Sequence, residues 1–170
     1  MQSAKLREGI KMISHPINPV YNENSKILIL GSFPSVKSRE EGFFYGHKQN
    51  RFWKVLSTLL SCKEPLIIKE KKKMLLSNGI ALWDVIQSCE IEGSKDSSII
   101  NAVPNDISRL LKEAPIKKIC LNGKLAYNLY CKYIEPQTKI KGIYLPSTSP
   151  ANGKYAQLDK LIEEWKVITE

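Results

Sequence analysis

ILILGSFPSVKSREEGFFYGHKQNRFW, residues 27–53, decides the reading of this chain. Its first four residues form an apolar run with the length and composition of a strand buried on both faces of a parallel sheet. Gly31 stops the run and a Ser-Pro-Ser turn follows. The loop then carries Phe43, Phe44, Tyr45, His47 and Asn50. After Asn50 the apolar spacing of RFWKVLSTLL predicts a helix. A buried strand that delivers aromatics, amides and a histidine suits an active site, because ligands of open α/β sheets sit beyond the carboxyl ends of the strands.

Working outward, residues 1–25 are polar, with His15-Pro16 and Asn18-Pro19 marking extended structure. Downstream, the pattern predicts a helix over 64–76 ended by Asn78-Gly79, a strand over 79–83 and the polar loop QSCEIEGSKDSS. Asn105 is placed to cap the helix DISRLLKEA, which Pro115 ends. A strand over 116–121, a helix after Asn122-Gly123-Lys124, a strand over 139–145 and a closing helix with Leu158, Leu161, Ile162 and Trp165 complete the chain. Alternating strands and helices predict one three-layer α/β/α domain over 1–170, with a central four-stranded, mostly parallel sheet. Parallel strands put their carboxyl ends at one edge, so the loops GSFPS, DVIQSC, LNGK and LPSTSPANGK should converge on one crevice.

The chain has 170 residues, 42% of them hydrophobic, ordinary for a soluble globular domain. Its charge is +9, and the excess is concentrated: residues 1–85 hold 14 basic and 7 acidic side chains. A polyanionic partner such as nucleic acid is one reading and a generally basic protein the other. The run Lys69, Lys71, Lys72, Lys73 reads first as a solvated helix face. Cys62, Cys89, Cys120 and Cys131 form no CxxC pair and are expected as buried free thiols, so neither zinc nor an iron–sulfur cluster is anticipated. No stretch has signal-peptide or membrane-span character, which predicts a cytoplasmic protein, nucleoid-associated if prokaryotic.

Catalytic triads and phosphate loops have no counterpart here: GxSxG, GxGxxG and GxxxxGK[ST] are missing from the sequence. The expected crevice holds amides, hydroxyls and aromatic rings, which suit a nucleobase: rings stack, and amides both donate to and accept from a base edge. Plainer roles stand beside these. Asn50 precedes a helix and suits an N-cap, Asn122-Gly123 suits a turn, Tyr45 and Phe44 suit a core, and His47 suits a loop hydrogen bond. His15 is assigned to the tail. Asp84 and Asp96 could supply an acid, though a cap or loop hydrogen bond is the simpler reading.

YGHKQNRFWKVL resembles the loop-to-helix segment of the uracil-DNA glycosylase superfamily, whose mismatch-specific members carry F-A-H-P-x-N-R-F-W-K. GSFPS, LPSTSPAN, ALWDVIQSC, GSKDSSI, NDISRLL and LNGKLAY resemble its hypoxanthine-DNA glycosylase branch, over roughly Ile13 to Trp165. The resemblance implies a monofunctional, cofactor-free, metal-free enzyme of base excision repair. It would act as a monomer on double- or single-stranded DNA, flip a deaminated base (hypoxanthine ahead of uracil) and hydrolyse its N-glycosidic bond. Asn50, Asn122 and His47 would then be catalytic. Gly31, Ser32, Phe33 and Tyr45 would bind the base, with Tyr45 stacking on it. Ser35, Lys48, Arg51, Ser147, Thr148, Ser149 and Asn152 would bind DNA. Ser32 is read where other branches place an Asn or Asp, Lys48 replaces the usual Pro, and Ala151-Asn152 stand where a bulky wedge is common. A uracil- or mismatch-specific glycosylase, a DNA-binding module without catalysis and a small-molecule nucleotide enzyme are the alternatives.

Overall fold

Leu28 and Leu30 pack on one side of the first strand of the sheet, among Ile107, Leu110, Ala126 and Tyr130. Ile29, between them, packs on the other side, among Phe52, Leu56, Leu75, Leu161 and Trp165. This alternation is the period of two of an extended chain. It sets two helical layers against one sheet. The computed structural model describes residues 12–170. Its elements in chain order are β1 (Met12–Ser14), β2 (Ile27–Gly31), α1 (Val36–Glu41), α2 (Phe52–Leu59), α3 (Ile68–Ser77), β3 (Ile80–Asp84), β4 (Ile86–Glu90), β5 (Ile100–Pro104), α4 (Ser108–Glu113), β6 (Lys118–Asn122), α5 (Lys124–Leu129), α6 (Glu135–Thr138), β7 (Gly142–Leu145) and α7 (Leu158–Trp165).

The main sheet has the order β3-β2-β6-β7 and every pairing in it is parallel. The expected three-layer architecture is therefore present, with α2, α3 and α7 on one face and α4 and α5 on the other. Register decides where the site forms. Gly31 lies beside Asp84, Leu30 beside Leu121 and Asn122 beside Leu145. Four connections leave the sheet at this one edge, as parallel strands require.

Several local expectations change. The loop 31–50 contains α1, which Ser35 caps by accepting the Ser38 N–H on its hydroxyl, and which Gly42 ends at a positive φ of 73°. The polar stretch QSCEIEGSKDSS is not a loop throughout. Ile86–Glu90 is a strand between β1 and β5 in a second, antiparallel sheet, with shifts of register at Ser88. It reads as polar because only Ile86, Cys89 and Ile91, spaced unevenly across the shift of register, reach the small core beside Phe33. The 64–76 helix starts later, at Ile68, because Glu70 accepts the Leu66 and Ile67 N–H groups and fixes its start there. Asn105 does not cap α4. It is buried and donates to the Asp84 and Ile86 carbonyls, while Asp106 accepts the Ser108 N–H. Cys89 and Cys120 are buried free thiols, pushed up to about 11 and about 12 by desolvation, whereas Cys62 is exposed.

The N-terminal segment is extended, as its prolines predict, within the described residues; residues 1–11 lie outside them. It is not a loose tail. Met12–Ser14 pair with β4, Val20 bridges Leu82, and the Trp83 indole donates to the Ile17 carbonyl at 3.2 Å. On α3, Lys71 and Lys72 cover aromatic rings, Trp53 at 5.2 Å and Phe43 at 5.8 Å. Desolvation lowers the Lys71 pKa.

Candidate active site

The loops at the carboxyl edge enclose a cavity of about 700 Å³, within the range of small-molecule sites. Gly31, Ser32, Phe33, Ser35, Tyr45, His47 and Asn50 border it on the β2 side of the chain. Asn122, Ser147, Thr148, Ser149 and Asn152 border it from the second half. Lys48 and Arg51 do not.

A single hydrogen-bond network ties the two asparagines together. Asn122 Nδ2 donates to the Tyr45 hydroxyl and to Thr148 Oγ1, both at 3.0 Å, and its Oδ1 accepts the Thr148 N–H at 3.1 Å. Thr148 Oγ1 passes its own hydrogen to Asn50 Oδ1 at 2.9 Å. Asn50 Oδ1 also accepts the Phe52 N–H, at 3.0 Å. Asn50 is therefore not the N-cap of α2, a position that Arg51 takes without a side-chain bond; it forms an Asx turn one residue earlier, holding the N–H of Phe52. Its oxygen is occupied twice, so what it offers the cavity is its Nδ2–H₂, which has no acceptor among the described residues. Asn122 is left differently: both its donors are committed inward, and it is 8% exposed. It positions Tyr45 and Thr148. Networks of this kind are rigid because each member's hydrogen depends on the next.

Tyr45 sits at a positive φ of 52°, uncommon for a bulky residue. One face of its ring stacks on Phe52 at 4.1 Å, so only the opposite face is open to a base. Burial raises the pKa of its hydroxyl, helped by the charge of Asp84 and opposed by the Asn122 hydrogen bond. It is a permanent donor, and its hydrogen has no acceptor among the described residues.

Four residues expected to grip DNA make hydrogen bonds within the protein. Ser35 is the α1 cap. Thr148 is fully buried in the network. Arg51 donates from its guanidinium to the carbonyls of Thr148, Ser149 and Tyr155, so it clamps the loop after β7. Asn152 donates to the Ser147 carbonyl at 3.0 Å and staples the same loop. Ser147 and Ser149 take part through short turns, accepting the Ser149 and Ala151 N–H groups. His47 and Lys48 are exposed, and His47 Nδ1 accepts the Gln49 N–H. Phe33 borders the cavity but is 8% exposed, packed edge-on to His15 and covered by the Arg39 guanidinium.

Two carboxylates also border the cavity. Asp96, on a short turn (Asp96–Ser98), accepts the Ser32 hydroxyl. Desolvation raises its pKa, the Ser32 bond lowers it, and the charge of Asp84 raises it further. Asp84 is buried at the end of β3 and takes a 2.7 Å hydrogen bond from His15. Its position was visible in the sequence, since an acid that ends an apolar strand lies at the ligand edge of a parallel sheet. His15 was not, because its partner lies 69 residues away. Among the described residues, no three His, Cys, Asp or Glu side chains are grouped to hold a metal ion, and no helix is long and apolar enough to cross a membrane.

Comparison with known proteins places the chain in a family. The family model of the uracil DNA glycosylase superfamily matches residues 19–167. A protein of Methanosarcina acetivorans named hypoxanthine DNA glycosylase is 34% identical over 161 residues, spanning 92% of this chain and 98% of that protein. One of the same name from Methanosarcina barkeri is 35% identical over 138 residues, 79% of this chain and 85% of its own. A solution NMR structure from Methanosarcina acetivorans, described as a candidate uracil DNA glycosylase, superposes with a TM-score of 0.77 at 30% identity, covering 94% of this chain and all of that one.

Proposed function

The chain belongs to the uracil DNA glycosylase superfamily, and from that premise we propose that it is a hypoxanthine DNA glycosylase, hydrolysing the N-glycosidic bond of a deaminated base flipped out of DNA. The observation that carries this reading is the cavity at the sheet edge, with its rigid Tyr45–Asn122–Thr148–Asn50 network. The names of the relatives support hypoxanthine as the base.

The bond between C1′ and the base nitrogen breaks with its electrons moving to the base. Water oxygen then bonds to C1′, and its proton leaves to the base or to solvent. The sugar passes through an oxocarbenium-like state, so fixed dipoles aimed at the leaving base and the DNA phosphates near the sugar carry the catalysis. Asn50 presents Nδ2–H₂ to the incoming water or a sugar oxygen. Tyr45 offers the free face of its ring. His47, at the mouth, is placed to meet DNA or the leaving base, and Lys48 to meet the backbone. The enzyme works on DNA as a monomer.

The test is a set of labelled duplexes with one deoxyinosine or one uracil, followed by alkaline cleavage of abasic sites. Strand breaks at deoxyinosine are expected. Intact strands at every lesion defeat the proposal, and salt-sensitive binding without cleavage would make the protein a lesion-binding module. Cleavage at uracil alone keeps the class and rejects the substrate.

A further inference from the structure

Asp84 is a carboxylate that the chemistry above does not use. It lies at the end of β3, beside Gly31 in the parallel register, and its side chain is 5% exposed. Burying such a group is costly unless it is bonded. His15, 2% exposed, supplies the bond, with its Nε2 2.7 Å from Asp84 Oδ2. The tautomer follows from the other ring nitrogen. His15 Nδ1 accepts the Ile17 N–H at 3.2 Å, so the ring proton is on Nε2 and is donated to Asp84. Phe33, Phe44 and Trp83 surround the imidazole at centroid distances of 5.8, 6.1 and 6.3 Å and fix its plane. The second oxygen, Asp84 Oδ1, has no partner among the described residues, and Asp84 borders the cavity. It crowds the space a Gly31 Cβ would need, and the Tyr45 hydroxyl crowds the same space from 2.8 Å. An acceptor and a donor thus stand side by side at the floor of the site.

We propose that Asp84 Oδ1 and the Tyr45 hydroxyl together read the N–H/C=O edge of the flipped base, with His15 as the residue that positions Asp84. This rests on the glycosylase reading and names how that site recognises its substrates. Deamination is the chemical change being read. Adenine and cytosine present a ring nitrogen lone pair beside an amino group. Hypoxanthine and uracil present a ring N–H beside a carbonyl. An acceptor-only carboxylate takes the N–H, and the tyrosine donates to the carbonyl. The parent base would set its lone pair against Asp84 and its amino group against a donor. An asparagine at position 84 whose oxygen took the His15 hydrogen would turn its amide N–H₂ toward the base, donor against donor for hypoxanthine; a carboxylate accepts on both oxygens. Asn122, the residue expected at the base edge, has both donors committed elsewhere.

The experiment compares single-turnover excision of hypoxanthine and of 1-methylhypoxanthine, which lacks the N–H, by the full chain and by Asp84→Asn. The Asn variant can still accept the His15 hydrogen. The wild type is expected to excise 1-methylhypoxanthine at least about tenfold more slowly than hypoxanthine, the scale of a lost hydrogen bond to a charged group. Asp84→Asn should slow hypoxanthine by a similar factor and 1-methylhypoxanthine by less than about threefold, the signature of a coupled pair. Affinity for an abasic duplex should be unchanged. His15→Gln, which keeps a donor, should retain the wild-type preference, and His15→Leu should lose it. Equal slowing of both bases by Asp84→Asn overturns the proposal. So does a wild type that removes both bases equally fast, a result that needs no variant to fold. A wild type that removes neither base, nor uracil, overturns the glycosylase reading with it; one that removes uracil alone is put to the same comparison with 3-methyluracil, and equal rates there overturn the proposal.

Discussion

Asn50 holds two roles because its amide has two ends. Its oxygen holds the turn into α2 through the Phe52 N–H and anchors Thr148, while its nitrogen is left for the cavity. A variant that separates the ends separates the roles. Asn50→Asp keeps the oxygen acceptors and loses the donor. It should melt near the wild type and lose most glycosylase activity. Asn50→Ala loses both, and should be destabilised by about 1–2 kcal/mol, the scale of its lost hydrogen bonds, as well as inactive. Thermal melts and single-turnover rates check this; an Asp variant that turns over like the wild type would leave Asn50 a turn residue alone. Asp96 gives a pH prediction. Its pKa in the folded protein is raised above the ordinary 3.8, chiefly by desolvation. The folded state therefore favours the protonated form, and stability falls as pH rises from 3.8 through the raised value. Asp96→Asn has no carboxylate to desolvate. Its melting temperature relative to the wild type should climb across that window and then level off above it. A difference that stays flat with pH would show that Asp96 carries no such strain.

At the level of elements, the loop after β7 is the piece whose role changed most between sequence and structure. Ser147–Asn152 reads as a surface for DNA through the resemblance of LPSTSPAN to the hypoxanthine-DNA glycosylase branch. Folded, it is held by its own turns, by Asn152 and by Arg51, whose fork reaches three carbonyls. Arg51 sits immediately before α2, so the turn that carries Asn50 into the site also pins the opposite wall. Arg51→Lys cannot reproduce the fork. Hydrogen exchange in residues 146–155 should rise in that variant while the protection of β2 and β6 stays at the wild-type level, and excision should slow because Thr148 loses its fixed place. Unchanged exchange in the loop would mean the turns hold it unaided. The strands of the main sheet were legible because each carries its own apolar run and its own stop, at Gly31, Asp84, Asn122 or Pro146. The antiparallel sheet was not, because β4 shows one polar face to solvent and finds its partners, β1 and β5, through pairings that no local pattern encodes.

For the whole molecule, parallelism made the site's location legible and distance hid some of its parts. Four loops were expected at one edge because parallel strands leave no alternative, and they are there. The His15–Asp84 pair and the Arg51 clamp span 69 and about 100 residues of chain, so neither leaves a mark at either end. Charge behaves in the same way. The excess of +9 is visible in composition, but composition cannot say which cations are free. Arg51 is occupied by carbonyls, Lys71 and Lys72 lie over aromatic rings, and Lys166 pairs with Glu163 at 2.6 Å. Lys48 is exposed, two residues before Asn50, with no ion pair among the described residues. If it meets a phosphate when Asn50 meets the sugar, removing it costs one released counterion. Lys48→Ala should then reduce the slope of log affinity against log salt by about 0.9 for duplex DNA, with the single-turnover rate at saturating protein unchanged. Lys166→Ala should leave the slope alone. Fluorescence anisotropy on an abasic duplex from low to moderate salt measures both. Equal slopes for the wild type and Lys48→Ala would place the DNA backbone elsewhere on the basic half of the chain.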